Sequence, residues 1–364
     1  MPDWNYSGSY SPLDAIFLMR PVEFAETTIE TKEKLIQSGL RHYSEMITRE
    51  KAPPLSYLRL FELAMKNNAR RFSHDLLLLS DEILRATTDS ITLVSLARAG
   101  TPIGALLTRR LRRTRPDVKH FSISIIRDRG IDTCALQYIL ERRHHESIIF
   151  IDGWTGKGVM CRELRKSLNE ARIRENLPYK GELLVISDLC GEAGFSATDD
   201  DYLIPSSLLG ATISGLVSRS IRNSDVVRAG EFDACIEYSE FKAIDNSQTF
   251  VNAIDQLMIS EESGLHTVPN SPSKAVKNTR QQQLRFSAIK ALMNEFHVSS
   301  ENYIKPGICE STRVLLRRVP HVVLLRDAEI AAVQHLISLA RERNTEIVIR
   351  HDLPWEAVAL IAQT

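Results

Sequence analysis

The amino-acid sequence predicts a two-part α/β protein: a doubly wound parallel sheet followed by a smaller α/β unit. Three observations carry this expectation. Short β-branched runs alternate with helix-period stretches from about residue 90 to residue 190, the pattern of parallel strands joined by crossover helices. The segment Ser263 to Arg285, SGLHTVPNSPSKAVKNTRQQQLR, is polar, proline-bearing and without apolar periodicity, so it reads as a linker. The length of 364 residues exceeds what one hydrophobic core commonly organises, and two cores are expected.

Along the chain, residues 1–90 are the most helical. Helices are expected over Thr28 to Thr48, Ser56 to Asn68 and Phe72 to Thr87, forming a cap or hood on the sheet. Residues 91–262 hold the sheet, with strands at Thr92 to Leu96, Phe121 to Ile126, Ser147 to Ile151 and Leu183 to Ile186, four to five in all. Between them Pro102 to Arg113, Asp132 to Arg142 and Gly158 to Ala171 carry apolar residues at helical period, with Pro102 in a first turn where its missing N–H is no loss. Residues 263–284 are the linker. Residues 285–364 read as helix, loop, helix, strand, helix, strand, with Val322 to Leu325 and Glu346 to Ile349 as the strands.

Composition excludes whole classes. At 43% hydrophobic and 25% charged residues, with 46 Lys+Arg against 46 Asp+Glu, the chain is neither disordered nor fibrous. No apolar run is long enough to span a bilayer, and MPDWNYSGSYSPLD lacks a basic and an apolar leader region, so a cytoplasmic protein without membrane contact is expected. The five cysteines, Cys134, Cys161, Cys190, Cys235 and Cys309, are scattered and form no C-x-x-C, which encodes neither a disulfide framework nor a local zinc site. The arginine-rich run Thr108 to Arg115 reads as a solvated helix face rather than a nucleic-acid site.

Ligands of open parallel sheets bind outside the carboxyl ends of the strands, so the loops there are the candidates. After the first strand, Arg98, Ala99, Gly100 and Thr101 form a small-residue turn into a helix, suited to a diphosphate. After the third, Asp152, Gly153, Trp154, Thr155, Gly156, Lys157 and Gly158 lead into another helix, a phosphate cradle with Asp152 placed for ribose hydroxyls or magnesium. The loop Arg127 to Asp132 offers Arg127 and Arg129 as cations that close over a leaving group. The P-loop pattern and Gly-x-Gly-x-x-Gly are both absent.

The IIFIDGWTGKGVM segment resembles the 5-phosphoribosyl-1-diphosphate (PRPP) motif of type I phosphoribosyltransferases, and Arg98 to Thr101 resembles their diphosphate loop. With Gln37 to Gly39, His42 to Met46, Arg127 to Asp132 and Ala197 to Ser206, residues 8 to 260 are similar to a bacterial phosphoribosyltransferase-like family of tellurium-resistance and stress gene clusters, also known as cysteine protease StiP. The motif departs from the usual one in having Gly153 after Asp152 and a shortened loop. The resemblance implies a type I phosphoribosyltransferase-like sheet, PRPP or a nucleoside monophosphate as ligand, and magnesium as cofactor on Asp152 and Asp188. It further implies transfer of ribose 5-phosphate to an acceptor, with Arg127, Arg129 and Asp152 catalytic. His42, Tyr43, Ser44, Glu45, Ser218 and Arg219 then form the acceptor pocket, or His42 to Glu45 form only a capped turn with a packed tyrosine. A homodimer is a further expectation.

Two other readings stay open. The family's second name implies a cysteine nucleophile, and Cys190 in Asp188-Leu189-Cys190-Gly191-Glu192 is the best candidate, with His42, His144 or His145 as base. In the C-terminal part, Gly307-x-x-Glu310-x-Thr312-Arg313 resembles the RNA-contact motif of the L7Ae and Pelota group, with Cys309 in place of its asparagine. That resemblance implies an α/β/α domain that binds structured RNA through Gly307, Glu310, Thr312 and Arg313, with Arg317 and Arg318 on phosphates; the alternative is an ordinary arginine-bearing surface helix. Combined with an inert first domain, it describes a non-catalytic nucleotide-sensing RNA adaptor.

Overall fold

The computed structural model describes residues 3–263 and 279–363. A six-stranded, wholly parallel sheet forms from β1 (Ile16–Leu18), β2 (Ile91–Leu96), β3 (Val118–Ile123), β4 (Ile148–Thr155), β5 (Leu184–Asp188) and β6 (Phe195–Thr198), in the order β1-β3-β2-β4-β5-β6. Successive side chains along each strand point to opposite faces, and the sequence fills both faces with apolar residues. Leu93, Ile149, Ile151, Leu184 and Ile186 enter one core, while Val94, Ile148, Phe150 and Val185 enter the other. The first core is closed by α2 (Leu55–Ala86), α3 (Thr101–Arg112) and α6 (Ser247–Ser263), and the second by α4 (Thr133–Leu140) and α5 (Val159–Glu170).

The N-terminal expectations need correction. The helix expected to run to Thr48 ends early, as α1 (Ile29–Gln37): Gly39 turns at positive φ, and a short 3-10 turn over Tyr43–Glu45 follows, capped by His42. The two helices expected after it are one, α2, because no residue between Asn68 and Phe72 breaks a helix. Residues 1–90 are therefore no separate hood. β1 pairs with β3, and Phe72, Leu76, Leu79 and Ile83 of α2 are fully buried in the first core.

The arginines of α3 find carboxylates within the fold. Arg109 grips Asp14 with two bonds of 2.9 and 2.6 Å, and Arg113 reaches Glu262 at 3.0 Å on α6. The expected solvated face is instead an ion-paired one, tying α3 to the N-terminal segment and to α6.

After α7 (Thr279–Glu295) a second sheet forms from β7 (Ile304–Pro306), β8 (Pro320–Leu325), β9 (Glu346–Ile349) and β10 (Ala357–Ile361), in the order β7-β10-β8-β9. β8 and β9 are parallel, and β10 is antiparallel to both β7 and β8. The helices α8 (Ile308–Arg317) and α9 (Gln334–Glu342) complete the unit. Most of the expected linker, residues 264–278, lies outside the described residues. The two cores are not separate: Ile308, Val314 and Leu315 of α8 belong to the same buried cluster as Tyr202, Leu203, Ile204 and Leu208 of the first unit.

Phe72, fully buried and 6.0 Å ring to ring from Phe250, holds α2 to α6. Phe72→Ala is expected to lower stability by about 3–5 kcal/mol. Leu55→Ala, at a position 71% exposed, should change it by less than about 0.5 kcal/mol. Urea titration of both variants against the unaltered chain checks the contrast.

Candidate functional site

The chain leaves β2 toward β3 on one side and returns to β4 on the other, so the loops after β2 and β4 meet at the switch point of the sheet. A Cβ added at Gly100 would come within 2.9 Å of the Ile151 carbonyl, and one at Gly153 within 3.7 Å of the Ala99 carbonyl. The structure thus brings together the two loops that the sequence singled out, and β5 adds a third turn beside them. There the Thr155 hydroxyl donates to Asp188 Oδ1, which also accepts the N–H groups of Cys190 (3.3 Å), Gly191 (2.9 Å) and Glu192 (3.3 Å). Asp188 Oδ2 accepts the N–H of Ala193 at 2.9 Å. The Cys190 thiol lies 3.4 Å from Asp188 Oδ1, nearly buried. Burial first, and then the charge of Asp188, push the thiol's pKa well above its ordinary range.

The second unit sits on top of these loops. The Trp154 indole N–H donates to Glu310 Oε1 at 3.3 Å, and Lys157 donates to the Glu301 carbonyl. Arg127 donates to Asn302 at 2.7 Å. Over the Cys190 turn, Trp355 donates to the Leu189 carbonyl at 3.2 Å, Gln282 to the Gly191 carbonyl and Arg285 to the Asp188 carbonyl at 3.4 Å. Asp201, from the acidic run after β6, accepts the N–H of Ile308 at 2.7 Å and that of Glu356 at 3.1 Å.

Individual expectations change accordingly. Arg98 does not face a diphosphate space: it pairs with Glu50 and donates to the Val217 carbonyl at 2.7 Å, while the Thr101 hydroxyl is buried 2.7 Å from Ser122. Gly156 faces Glu310 and Pro306, and Gly158, at φ 73°, faces Glu192, so the loop read as a phosphate cradle is closed by protein. Asp188 is no free magnesium ligand, since Thr155 and the N–H groups of residues 190 to 193 already occupy it; nor, among the described residues, do three metal-ligating side chains gather.

His42 to Glu45 form the capped turn, with His42 Nδ1 2.8 Å from Ser44 Oγ and Ser44 fully buried. Around that turn the structure does collect predicted residues. The Tyr43 hydroxyl accepts the Arg127 N–H at 2.8 Å, Arg129 pairs with Glu45, and Arg219 donates to the Tyr43 carbonyl at 3.0 Å. Ser218 is spent on backbone, its hydroxyl accepting the Ile236 N–H at 2.8 Å.

Of the residues read as RNA contacts, Gly307 and Thr312 are buried, Glu310 and Arg313 are partly covered, and Arg317 and Arg318 are exposed. Glu310 holds Arg313 at 3.0 Å, Thr312 donates to the Ile308 carbonyl at 2.7 Å, Arg317 donates to the Leu208 carbonyl and Arg318 lies 3.5 Å from Glu33. Sequence reasoning missed Asp201, Gln282 and Trp355 as seam residues, and Glu50 as the partner of Arg98. Only Asp201 gave a signal, as part of an acidic run.

Residues 8–255 match the family described as tellurite-like stress resistance cysteine protease StiP. The chain belongs to the StiP family. Its residues 283–363 match the PELOTA RNA binding domain. A relative named cysteine protease StiP, from Acinetobacter baylyi, is 40% identical over 369 residues, covering 98% of this chain and 94% of the relative. Two solved structures are more distant. Hypoxanthine phosphoribosyltransferase from Trypanosoma cruzi is 10% identical, covering 59% of this chain and 92% of that one, at a TM-score of 0.24. The α-aminoadipate aminotransferase LysN from Thermus thermophilus is 11% identical, covering 76% and 68%, at a TM-score of 0.22. Likenesses this low carry no argument. The StiP-family matches correct the expectation of ribose 5-phosphate transfer from PRPP, because the family and the relative are both named as cysteine proteases. Among the described residues, no helix is long and apolar enough to cross a membrane.

Asp152 is buried, and its carboxylate accepts the Gly153 N–H at 2.8 Å. Burial raises its pKa to about 7. The folded value lies above the unfolded one, so the protonated form is favoured in the fold; that contribution is present below about pH 4 and is lost as pH rises through about 7. Asp152→Asn, which cannot ionise, should therefore lose less stability than the unaltered chain between about pH 4 and 8, by on the order of a few kcal/mol. Urea midpoints across that range measure it, and parallel pH profiles for the two proteins would contradict the assignment.

Proposed function

We propose that the chain is a cysteine protease of the StiP type, with Cys190 as nucleophile and an RNA-binding Pelota-like domain at its C-terminal end. The observation that carries this reading is the place of Cys190: on the turn leaving β5, at the carboxyl end of the parallel sheet, beside N–H groups that converge on one carboxylate. A thiol next to converging N–H donors is the arrangement acyl transfer uses. The thiolate attacks a peptide carbonyl, donors hold the oxyanion, the amine leaves with a proton, and water releases the acyl group. In the arrangement described, Asp188 fills the ring of donors and the thiol stays protonated, which makes this a resting state. In that state the Cys190 thiol donates to Asp188 Oδ1 at 3.4 Å.

The finer fold reading, a type I phosphoribosyltransferase-like sheet joined to a Pelota-like α/β/α unit, is supported by the strand order and by the meeting of the loops after β2 and β4. A cytoplasmic location fits the five free cysteines. RNA binding through Gly307, Glu310, Thr312 and Arg313, with Arg317 and Arg318 on phosphates, is supported by the Pelota match. One observation favours a second reading, the non-catalytic RNA adaptor: among the described residues no imidazole hydrogen-bonds a thiol, the paired rings being His42, His120, His335 and His351 on other partners.

The deciding assay is hydrolysis of denatured casein by the full chain, with and without a structured RNA hairpin. Cleavage should fall by about 100-fold or more in Cys190→Ala and persist in Cys134→Ala. Cleavage unaffected by Cys190→Ala would remove the nucleophile assignment, and no cleavage under either condition would favour the adaptor. In a separate titration, Arg313→Ala should weaken binding to a kinked RNA hairpin by about 5-fold or more. Unchanged binding would move the RNA face elsewhere.

A further inference from the structure

Cations along the seam between the two units are held differently from those in the body of the first unit. There, arginines meet carboxylates: Arg109 grips Asp14, Arg165 meets Glu182 at 2.7 Å and Arg222 meets Asp233 at 2.7 Å. At the seam they meet neutral oxygens. Arg219 donates to the carbonyls of Tyr43 (3.0 Å) and Met46, and Lys157 donates to the Glu301 carbonyl. Arg127 donates to the Asn302 side-chain oxygen at 2.7 Å, with the exposed Asp128 3.3 Å away. Lys305 makes no side-chain hydrogen bond or ion pair among the described residues. A neutral oxygen orients a cation without cancelling its charge, so the seam carries positive charge that the fold leaves uncompensated.

These groups are neighbours. The Tyr43 ring centre lies 5.3 Å from the Arg127 guanidinium and 5.8 Å from that of Arg219, so one phenol spaces two cations. Arg127 and Lys157 reach adjacent residues, Asn302 and Glu301, on the turn that leads into β7, the strand carrying Lys305. The electrostatics agree with this geometry. Burial lowers the Lys157 pKa to about 8, with Lys305 lowering it further; burial also lowers that of Lys305, where Glu310 opposes and Arg318, Arg313 and Arg127 add to the effect. Tyr43, Arg127, Lys157, Arg219 and Lys305 all remain partly exposed, so a ligand can reach them. Cations drawn from four separate segments along one seam match a chain of phosphates better than a single anion.

We propose that Arg127, Lys157, Arg219 and Lys305 form a phosphate track for RNA, through which the first unit shares in holding a strand bound at α8. The inference rests on the RNA-binding reading above and deepens it, by adding residues of the first unit to the RNA site. Tyr43 is a positioning residue: its hydroxyl accepts the Arg127 N–H and its carbonyl accepts from Arg219. Arg318, exposed at the end of α8, connects the track to the helix.

The test uses the full chain and a fluorescein-labelled kinked RNA hairpin, titrated by anisotropy at about 50 and 200 mM salt. Arg219→Gln and Lys157→Gln should each weaken binding by about 5-fold or more and lower the slope of log affinity against log salt by about 1. Arg219→Lys, which keeps the charge, should keep the slope. Arg85→Ala, whose side chain on α2 is 67% exposed beside Glu82, should change neither quantity. If Arg219→Gln fails to fold, Lys157→Gln and Lys305→Gln carry the test, since neither lysine holds a carboxylate. Binding that falls in Arg313→Ala but not in Arg219→Gln or Lys157→Gln, or that falls equally in Arg85→Ala, would overturn the track while the RNA reading stands. Displacement of the hairpin by inorganic phosphate at matched ionic strength would mark a single-anion site and overturn it as well. Absence of hairpin binding in every protein overturns both.

Discussion

The docking of α8 between the second sheet and residues 202–208 of the first unit is the constraint on which the rest of the molecule depends. Its apolar residues Ile308, Val314 and Leu315 complete a core begun by residues 202–208 of the first unit, and burying them there removes from water a surface that neither unit covers alone. Once α8 is so placed, its polar residues have no freedom of direction. Glu310 meets Trp154, Arg317 meets the Leu208 carbonyl, and the loops at the carboxyl edge of the first sheet acquire a roof. The closed state of the site is a geometric result of apolar packing, to which the hydrogen bonds conform.

Electrostatics at the seam follow from the same packing. Burial holds the pKa values of Arg98, Arg317, Lys157 and Lys305 below their ordinary values and raises those of Asp152 and Asp201. Cations and carboxylates are both driven toward neutrality, as expected when charged groups of both signs are withdrawn from water. Away from the seam, Arg109 and Arg113 of α3 are reached by carboxylates of the N-terminal segment and α6.

Much of the fold was legible because its signals are local. β2, β4 and β5 show as β-branched runs, and Pro102 marks the entry to α3. β1, β7 and β6 were missed because three or four residues carry no periodicity, and β10 because its small apolar run AVALI resembles a helix end. The candidate site was legible in which loops meet and illegible in what fills them. Gly100 and Gly153 announced a close approach, but nothing in the sequence ties Arg98 to Glu50, or Asp201 to Ile308, across long stretches of chain. The arginines of α8 read as a solvated or RNA-facing surface because helix period identifies a polar face without identifying what lies opposite it. Cys190 illustrates the same limit, since its turn is a local motif whereas its roof comes from residues 282, 285 and 355.

The shared core also has a bearing on the order of synthesis. A ribosome delivers residues 16–263, and with them all six strands of the first sheet, before α8 exists. During that interval Tyr202, Leu203, Ile204 and Leu208 lack their partners, and the nascent first unit presents an apolar strip to the cell. Packing of that strip therefore waits until α8 has left the exit tunnel.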